Sequence, residues 1–191
     1  MKKMMLAITG ASGSLYALKF AQLVKESGCE LHLIFSETGV EVAEFEIGKA
    51  GLNKMEKLAD FLYNSKNFWS LPASGLGILD AMVILPCSMG TLGAIANGLS
   101  NNLIHRAAEC FLKEQRPLVA AVRETPLNKI HIHNMLALAE AGGTIFPAMP
   151  AFYSMPKDID QMALFFAGRI AQFLGIKVKG MPTWEPKRTK N

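Results

Sequence analysis

Five short apolar runs, each fenced from the next by a segment with helical spacing, leave this chain few architectures. Met4–Ile8, Glu30–Phe35, Ala81–Leu85, Leu118–Val122 and Thr144–Phe146 have the length and composition of buried strands. Leu15, Leu18, Phe20, Ala21 and Val24 mark a helix over Leu15–Glu26, and a second helix starts within Gly39–Phe45. Thr91–Ala96 and Leu103–Glu114 carry helical patterns between the third and fourth runs. Thr125 and Pro126 suit the N-cap and first position of another helix, with Gly142 as its stop, and a last helix runs from about Asp158 to Leu174. Strands that are apolar on both faces and alternate with helices belong in a parallel sheet covered on each side. The expectation is an α/β chain: a single doubly wound (Rossmann- or flavodoxin-like) domain, its sheet mostly parallel, with helices on both faces.

Bulk properties narrow the function classes. The 191 residues, half of them hydrophobic, suffice for one buried core but not for two domains. No run approaches a membrane span, and the apolar stretch after Met1-Lys2-Lys3 is too short for a secretory signal, so a cytoplasmic protein without membrane contact is expected. The net charge of +4 is accounted for by Lys177, Lys179, Lys187, Arg188 and Lys190 set against Glu185. We therefore divide the chain into a domain over residues 1–176 and a basic tail over 177–191, and expect no nucleic-acid partner. Three cysteines at unrelated spacings argue against a disulfide framework and a zinc site. His32, His131 and His133 read as structural.

In open parallel sheets ligands bind beyond the carboxyl ends of the strands. Gly10-Ala11-Ser12-Gly13 follows the first run and leads into a helix, a turn whose N–H groups and hydroxyls could cradle a phosphate. The spacing is not that of a dinucleotide fingerprint. Ser36 follows the second run, Pro86-Cys87-Ser88-Met89-Gly90-Thr91 the third and Arg123-Glu124-Thr125-Pro126 the fourth, while Ala151-Phe152-Tyr153 lies beyond the fifth. Arg106 and Lys113, seven apart on one helix, share a face. Arg169 interrupts an apolar helix, where a charge needs a partner. The irregular stretch Asn64–Asp80, carrying Trp69, is long enough to imply a functional loop. No metal-ligating cluster is visible.

Gly10-Ala11-Ser12-Gly13, Leu85-Pro86-Cys87-Ser88-x-x-Thr91, Asn102-Leu103-Ile104-x-Arg106-Ala107-Ala108, Leu112-Lys113-Glu114-x-Arg116-Pro117-Leu118, Val122-Arg123-Glu124-Thr125-Pro126-Leu127 and Pro150-Ala151-Phe152-Tyr153, in that order, resemble the UbiX/Pad family from Met1 to about Ile176. The resemblance implies a flavin prenyltransferase that joins the dimethylallyl group of dimethylallyl phosphate (or diphosphate) to N5 and C6 of reduced FMN. The product would be the prenylated-FMN cofactor of UbiD-type decarboxylases. It also implies a homo-oligomer, a dodecamer in many members.

Carried over by position, the resemblance assigns FMN to Gly10, Ala11, Ser12, Ser36, Ser88, Met89, Gly90, Thr91 and Arg123. Tyr153 and Arg169 would hold the prenyl phosphate, Arg106 and Lys113 would complete a clamp, and Glu124 would hydrogen-bond the phosphate. Glu46 would sit with Ser12 near flavin N5, with Trp69 and Trp184 over the prenyl pocket. Gly90 stands where some relatives carry lysine. Loss of an allylic phosphate requires fixed positive charge at the leaving group, so a cationic clamp is expected in place of a metal ion. The rival readings are an FMN-dependent cysteine decarboxylase and a non-catalytic flavin-binding module. The first normally shows Pro-Ala-Ser-Ala-Asn-Thr where this chain has Pro86-Cys87-Ser88.

Overall fold

The computed structural model describes residues 1–178; Trp184 and nearly all of the basic tail lie outside them. β1 (Lys3–Ile8), β2 (Glu30–Phe35), β3 (Phe61–Tyr63), β4 (Ala81–Cys87), β5 (Leu118–Val122) and β6 (Thr144–Ile145) form one sheet in the order β3-β2-β1-β4-β5-β6. Every neighbouring pair is parallel. The order reverses between β1 and β4, which places a switch point at the centre of the sheet.

Alternate residues of each strand point to opposite faces, and both faces are packed. Met4, Leu6, Ile8, Leu31, Leu33, Val83 and Val119 face α1 (Ser14–Glu26), α2 (Glu37–Leu58) and α6 (Ile159–Phe173). Met5, Ala7, Ile34, Met82, Ile84, Leu118 and Ala120 face α3 (Met89–Ala96), α4 (Leu103–Lys113) and α5 (Lys129–Glu140). Phe20 and Phe111 are fully buried, one in each layer. Side chains cap the helices: Ser36, Ser88, Asn102, Asn128 and Asp158 each accept a backbone N–H. Each cap is worth about 1 kcal/mol.

Three local expectations are corrected. A sixth strand, β3, pairs with His32–Ile34; with three residues on the sheet edge it is too short to show alternation. α2 begins at Glu37 rather than at Gly39 and continues to Leu58 across a break at Gly48, whose φ of 68° is left-handed. The helix expected to open at Thr125-Pro126 starts at Lys129 instead. Asn128 accepts the His131 N–H at 2.9 Å and the His131 ring returns to the Asn128 N–H at 3.4 Å. That reciprocal pair outcompetes a lone threonine cap, and leaves residues 123–127 as a loop at the rim.

His32 is buried between Glu30 and Tyr63, 2.7 Å from each, and stacks on Phe61. His105 is buried on α4. Burial lowers the pKa of both rings; for His32 the Glu30 carboxylate opposes that shift without reversing it. The folded state then binds fewer protons than the unfolded chain, so stability is full above the ordinary histidine range and falls as pH drops through it. We expect the melting temperature to decline below about pH 6.5, and His105→Asn to flatten that decline. Thermal melts between pH 5 and 7.5 with equal slopes for both proteins would refute this.

Candidate active site

The loops after β1 and β4 meet at the switch point. Thr9, 1% exposed, donates its hydroxyl to Pro86 O at 2.8 Å and accepts the Ser88 N–H at 2.9 Å. Ser88 caps α3 and bonds the Thr91 hydroxyl at 3.1 Å. The start of α2 is drawn in beside them, because the Ser36 N–H donates to Ile8 O at 2.9 Å. A Cβ on Gly10 would lie 2.5 Å from Thr38 Oγ1, and one on Gly39 would lie 2.4 Å from Ile8 O. Both glycines are thus needed for close approach. The ends of α2 and α3 are thereby presented side by side.

The head of α1 is arranged differently from the expected phosphate cradle. Glu46, from α2, accepts the Gly13 N–H at 3.0 Å and the Ser14 N–H at 2.7 Å. The chain's own carboxylate occupies the donors that the turn seemed to offer an outside anion. Packing against the loop works against charge on Glu46. Hydrogen bonds from the Ser12 side chain and from the Gly13 and Ser14 amides outweigh it, and hold the carboxyl below its ordinary range. Glu46 and Ser12 are therefore brought together.

They line a cleft of about 270 Å³ with Tyr16, Arg123, Ala148, Met162 and Ala163. The Arg123 N–H donates to Cys87 O at 3.2 Å, which fixes its backbone to the end of β4. Its buried Nε has no partner among the described residues. Glu124, beside it, is exposed and accepts the Thr125 N–H at 3.0 Å. Gly90 faces open space, so no side chain crowds the first turn of α3.

A second cleft, about 240 Å³, draws like the first on α6 and on the segment after β6. Phe146, Pro147, Phe165 and Phe166 wall it, and Tyr153 and Arg169 both line it. Arg169 is exposed, not trapped among apolar neighbours as its place in the sequence suggested. Tyr153 packs edge-on against Phe165, with ring centroids 5.6 Å apart.

The rest of the expected clamp does not assemble within one chain. Arg106 and Lys113 ride on α4, in the layer on the other side of the sheet from α1 and α6. Arg106 Nε donates to Ala73 O at 3.1 Å and its guanidinium pairs with Glu109 at 2.9 Å. Lys113 pairs with Glu114. Trp69, 99% exposed, belongs to the loop whose Ala73 O takes the Arg106 bond. Arg116 pins this loop by donating to Gly77 O at 2.5 Å and to Leu79 O at 3.1 Å. Thr9 and Tyr16 were missed: no role was given to Thr9, just past the first apolar run, or to Tyr16, within the first helical segment, and nothing local marks either as polar machinery.

Residues 1–172 match the flavoprotein family. The flavin prenyltransferase UbiX of Methanothermobacter thermautotrophicus is 41% identical over 186 residues, 97% of this chain and 97% of that one. The chain belongs to the flavin prenyltransferase family. Its structure agrees closely with that of AnUbiX (PadA1) in complex with FMN and dimethylallyl pyrophosphate, with a TM-score of 0.93 at 33% identity, covering 97% of this chain and 98% of that one. A dodecameric FMN-dependent Ubix-like decarboxylase from Escherichia coli O157:H7 gives 0.92 at 34% identity, covering 96% and 100%. These relatives of known structure thus share its doubly wound sheet. Among the described residues no three histidine, cysteine or acidic side chains cluster as metal ligands, and no helix is long and apolar enough to cross a membrane.

Proposed function

We propose that this chain transfers the dimethylallyl group of dimethylallyl phosphate to N5 and C6 of reduced FMN, and that UbiD-type decarboxylases receive the prenylated FMN. The observation that carries the reading is a pair of clefts that share α6 and the segment after β6, one lined by Arg123, Ser12 and Glu46, the other by Tyr153, Arg169 and three phenylalanines. The donors suit a flavin phosphate: a buried Arg123 Nε without a partner, and the starts of α2 and α3 capped by Ser36 and Ser88. Ser88 through Thr91 and Arg123 would hold that phosphate, and Gly10, Ala11 and Ser12 would border the ring system. Reduced FMN, when bound, supplies the nucleophile.

The chain's own part is to make phosphate a good leaving group. Cleavage of the allylic C–O bond puts negative charge on the phosphate, which the Arg169 guanidinium and the Tyr153 hydroxyl would bind. Phe146, Phe165 and Phe166 exclude water from the carbon fragment and offer π faces to positive charge developing on it. The released phosphate, retained by these groups, can accept a proton. Glu46 fixes Ser12, so that the serine hydroxyl keeps one orientation beside the flavin.

Arg106, Lys113 and Trp69 would complete this pocket from a second copy of the chain, since α4 lies on the opposite layer. Assembly as a dodecamer, like the relative from Escherichia coli O157:H7, would provide that copy. Exposed Leu76, Ile78, Ile130 and Leu136 give apolar surface for such contacts. Glu124 would reach the phosphate from the rim loop.

Incubation of the purified protein with reduced FMN and dimethylallyl phosphate under anaerobic conditions, followed by mass spectrometry of the flavin, tests the reading. A flavin heavier by one prenyl unit is expected. An unchanged flavin mass, with the protein shown to bind FMN, would overturn it in favour of a flavin-binding module.

A further inference from the structure

Thr9 touches neither cleft, yet it is the buried joint between the two central loops of the rim. Its hydroxyl is both donor and acceptor: the proton goes to Pro86 O at 2.8 Å and the lone pair takes the Ser88 N–H at 2.9 Å. A further bond joins the Thr9 N–H to Pro86 O at 3.3 Å. Ser88 is the residue that caps α3, so Thr9 determines where the first turn of that helix stands relative to β1. The Arg123 N–H is tied to Cys87 O, one residue away. One hydroxyl thus sets the register between the Ser12 loop and the donors of Ser88 through Arg123.

We propose that Thr9 is a positioning residue for the flavin phosphate: it sets the separation of the two loops, so that the α3 end and Arg123 grip the phosphate while Ser12 faces the ring. This rests on the flavin reading above. Tyr153 and Arg169 belong to the segments after β6 and to α6, and owe nothing to the Thr9 bonds. The proposal therefore distinguishes the two substrates.

Thr9→Val keeps the shape and removes the hydroxyl, stranding the buried Ser88 N–H and leaving Pro86 O only the longer bond from the backbone N–H of residue 9. FMN affinity, read by flavin fluorescence titration, should fall about tenfold. The KM for dimethylallyl phosphate at saturating FMN should stay within a factor of about two, and Thr9→Ser, which restores the hydroxyl, should bind FMN like the parent. An unchanged FMN affinity in Thr9→Val, an equal loss for both substrates, or a Thr9→Ser variant as weak as Thr9→Val would overturn the proposal. Should Thr9→Val fail to fold, Thr9→Cys serves instead: its weak thiol should bind FMN less tightly than the parent, and parental affinity would count against us. A parent protein that binds no FMN would defeat the flavin reading itself rather than the role of Thr9.

Discussion

Arg169→Ala should slow prenyl transfer about 10²–10³-fold, the usual loss when one donor to a developing negative charge is removed, with FMN affinity unchanged. The expectation follows from the separation of the clefts. Arg169 lies with Tyr153 in the apolar one, and Arg123 lines the other with Ser12 and Glu46. Removing Arg169 leaves the leaving phosphate without a permanent charge from its own chain, whereas the flavin contacts are untouched. Arg169→Lys should recover only part of the rate, because an ammonium cannot reproduce the planar fork of donors. Single-turnover measurements with saturating FMN isolate the step, and parental turnover in Arg169→Ala would refute the assignment. Lys113→Ala, on α4, tests the second-copy arrangement when combined with it. Each variant alone should be slow, while oligomers assembled from a mixture of the two should regain activity, since some pockets then receive Lys113 from one chain and Arg169 from another. Mixed oligomers as slow as their parents would rule out a shared pocket.

Glu46→Gln should cost about 10²-fold in turnover, the lower end of what a positioned acid–base partner contributes, and should alter the acid limb of stability. The glutamine side chain has the same shape but no charge, and half of its polar end is a donor facing the Gly13 and Ser14 N–H donors. Ser12 then loses the carboxylate that orients it. The stability consequence has a definite sign. The Glu46 pKa is lower in the folded chain than in the unfolded one, so its contribution is present above the ordinary carboxylate range and disappears as pH falls through the folded value. Glu46→Gln should therefore lower the melting temperature at neutral pH and lose less on acidification below about pH 4.5. Melting curves for the two proteins that run parallel down to pH 3 would contradict this, as would parental turnover in the variant.

The sheet was legible because burial on both faces leaves a plain record. Five strands could be placed to within two residues at each end. β3 left no such record: Phe61 and Leu62 sit on an exposed edge, and three residues cannot show a period. The start of α5 was misplaced because Thr125 and Asn128 are both plausible caps, and only the returning His131 ring distinguishes them. Which loops share the rim could be read by position alone, since the carboxyl ends of parallel strands lie together. What occupies a helix end cannot be read that way. Glu46 is 33 residues from Gly13, and its arrival at the head of α1 depends on how α2 crosses α1. Arg106 and Lys113 were rightly placed on one face of a helix, but helical spacing says nothing about which side of the sheet that helix covers.

A helix end that carries its own tethered anion needs none from the solvent. Chloride, sulfate or a buffer phosphate would have to displace the Glu46 carboxylate from the head of α1, and a group held on the same polypeptide presents an effective concentration that free ions do not match. The negative charge at this corner is consequently supplied by the chain itself, which leaves the neighbouring helix ends as the places where small anions compete.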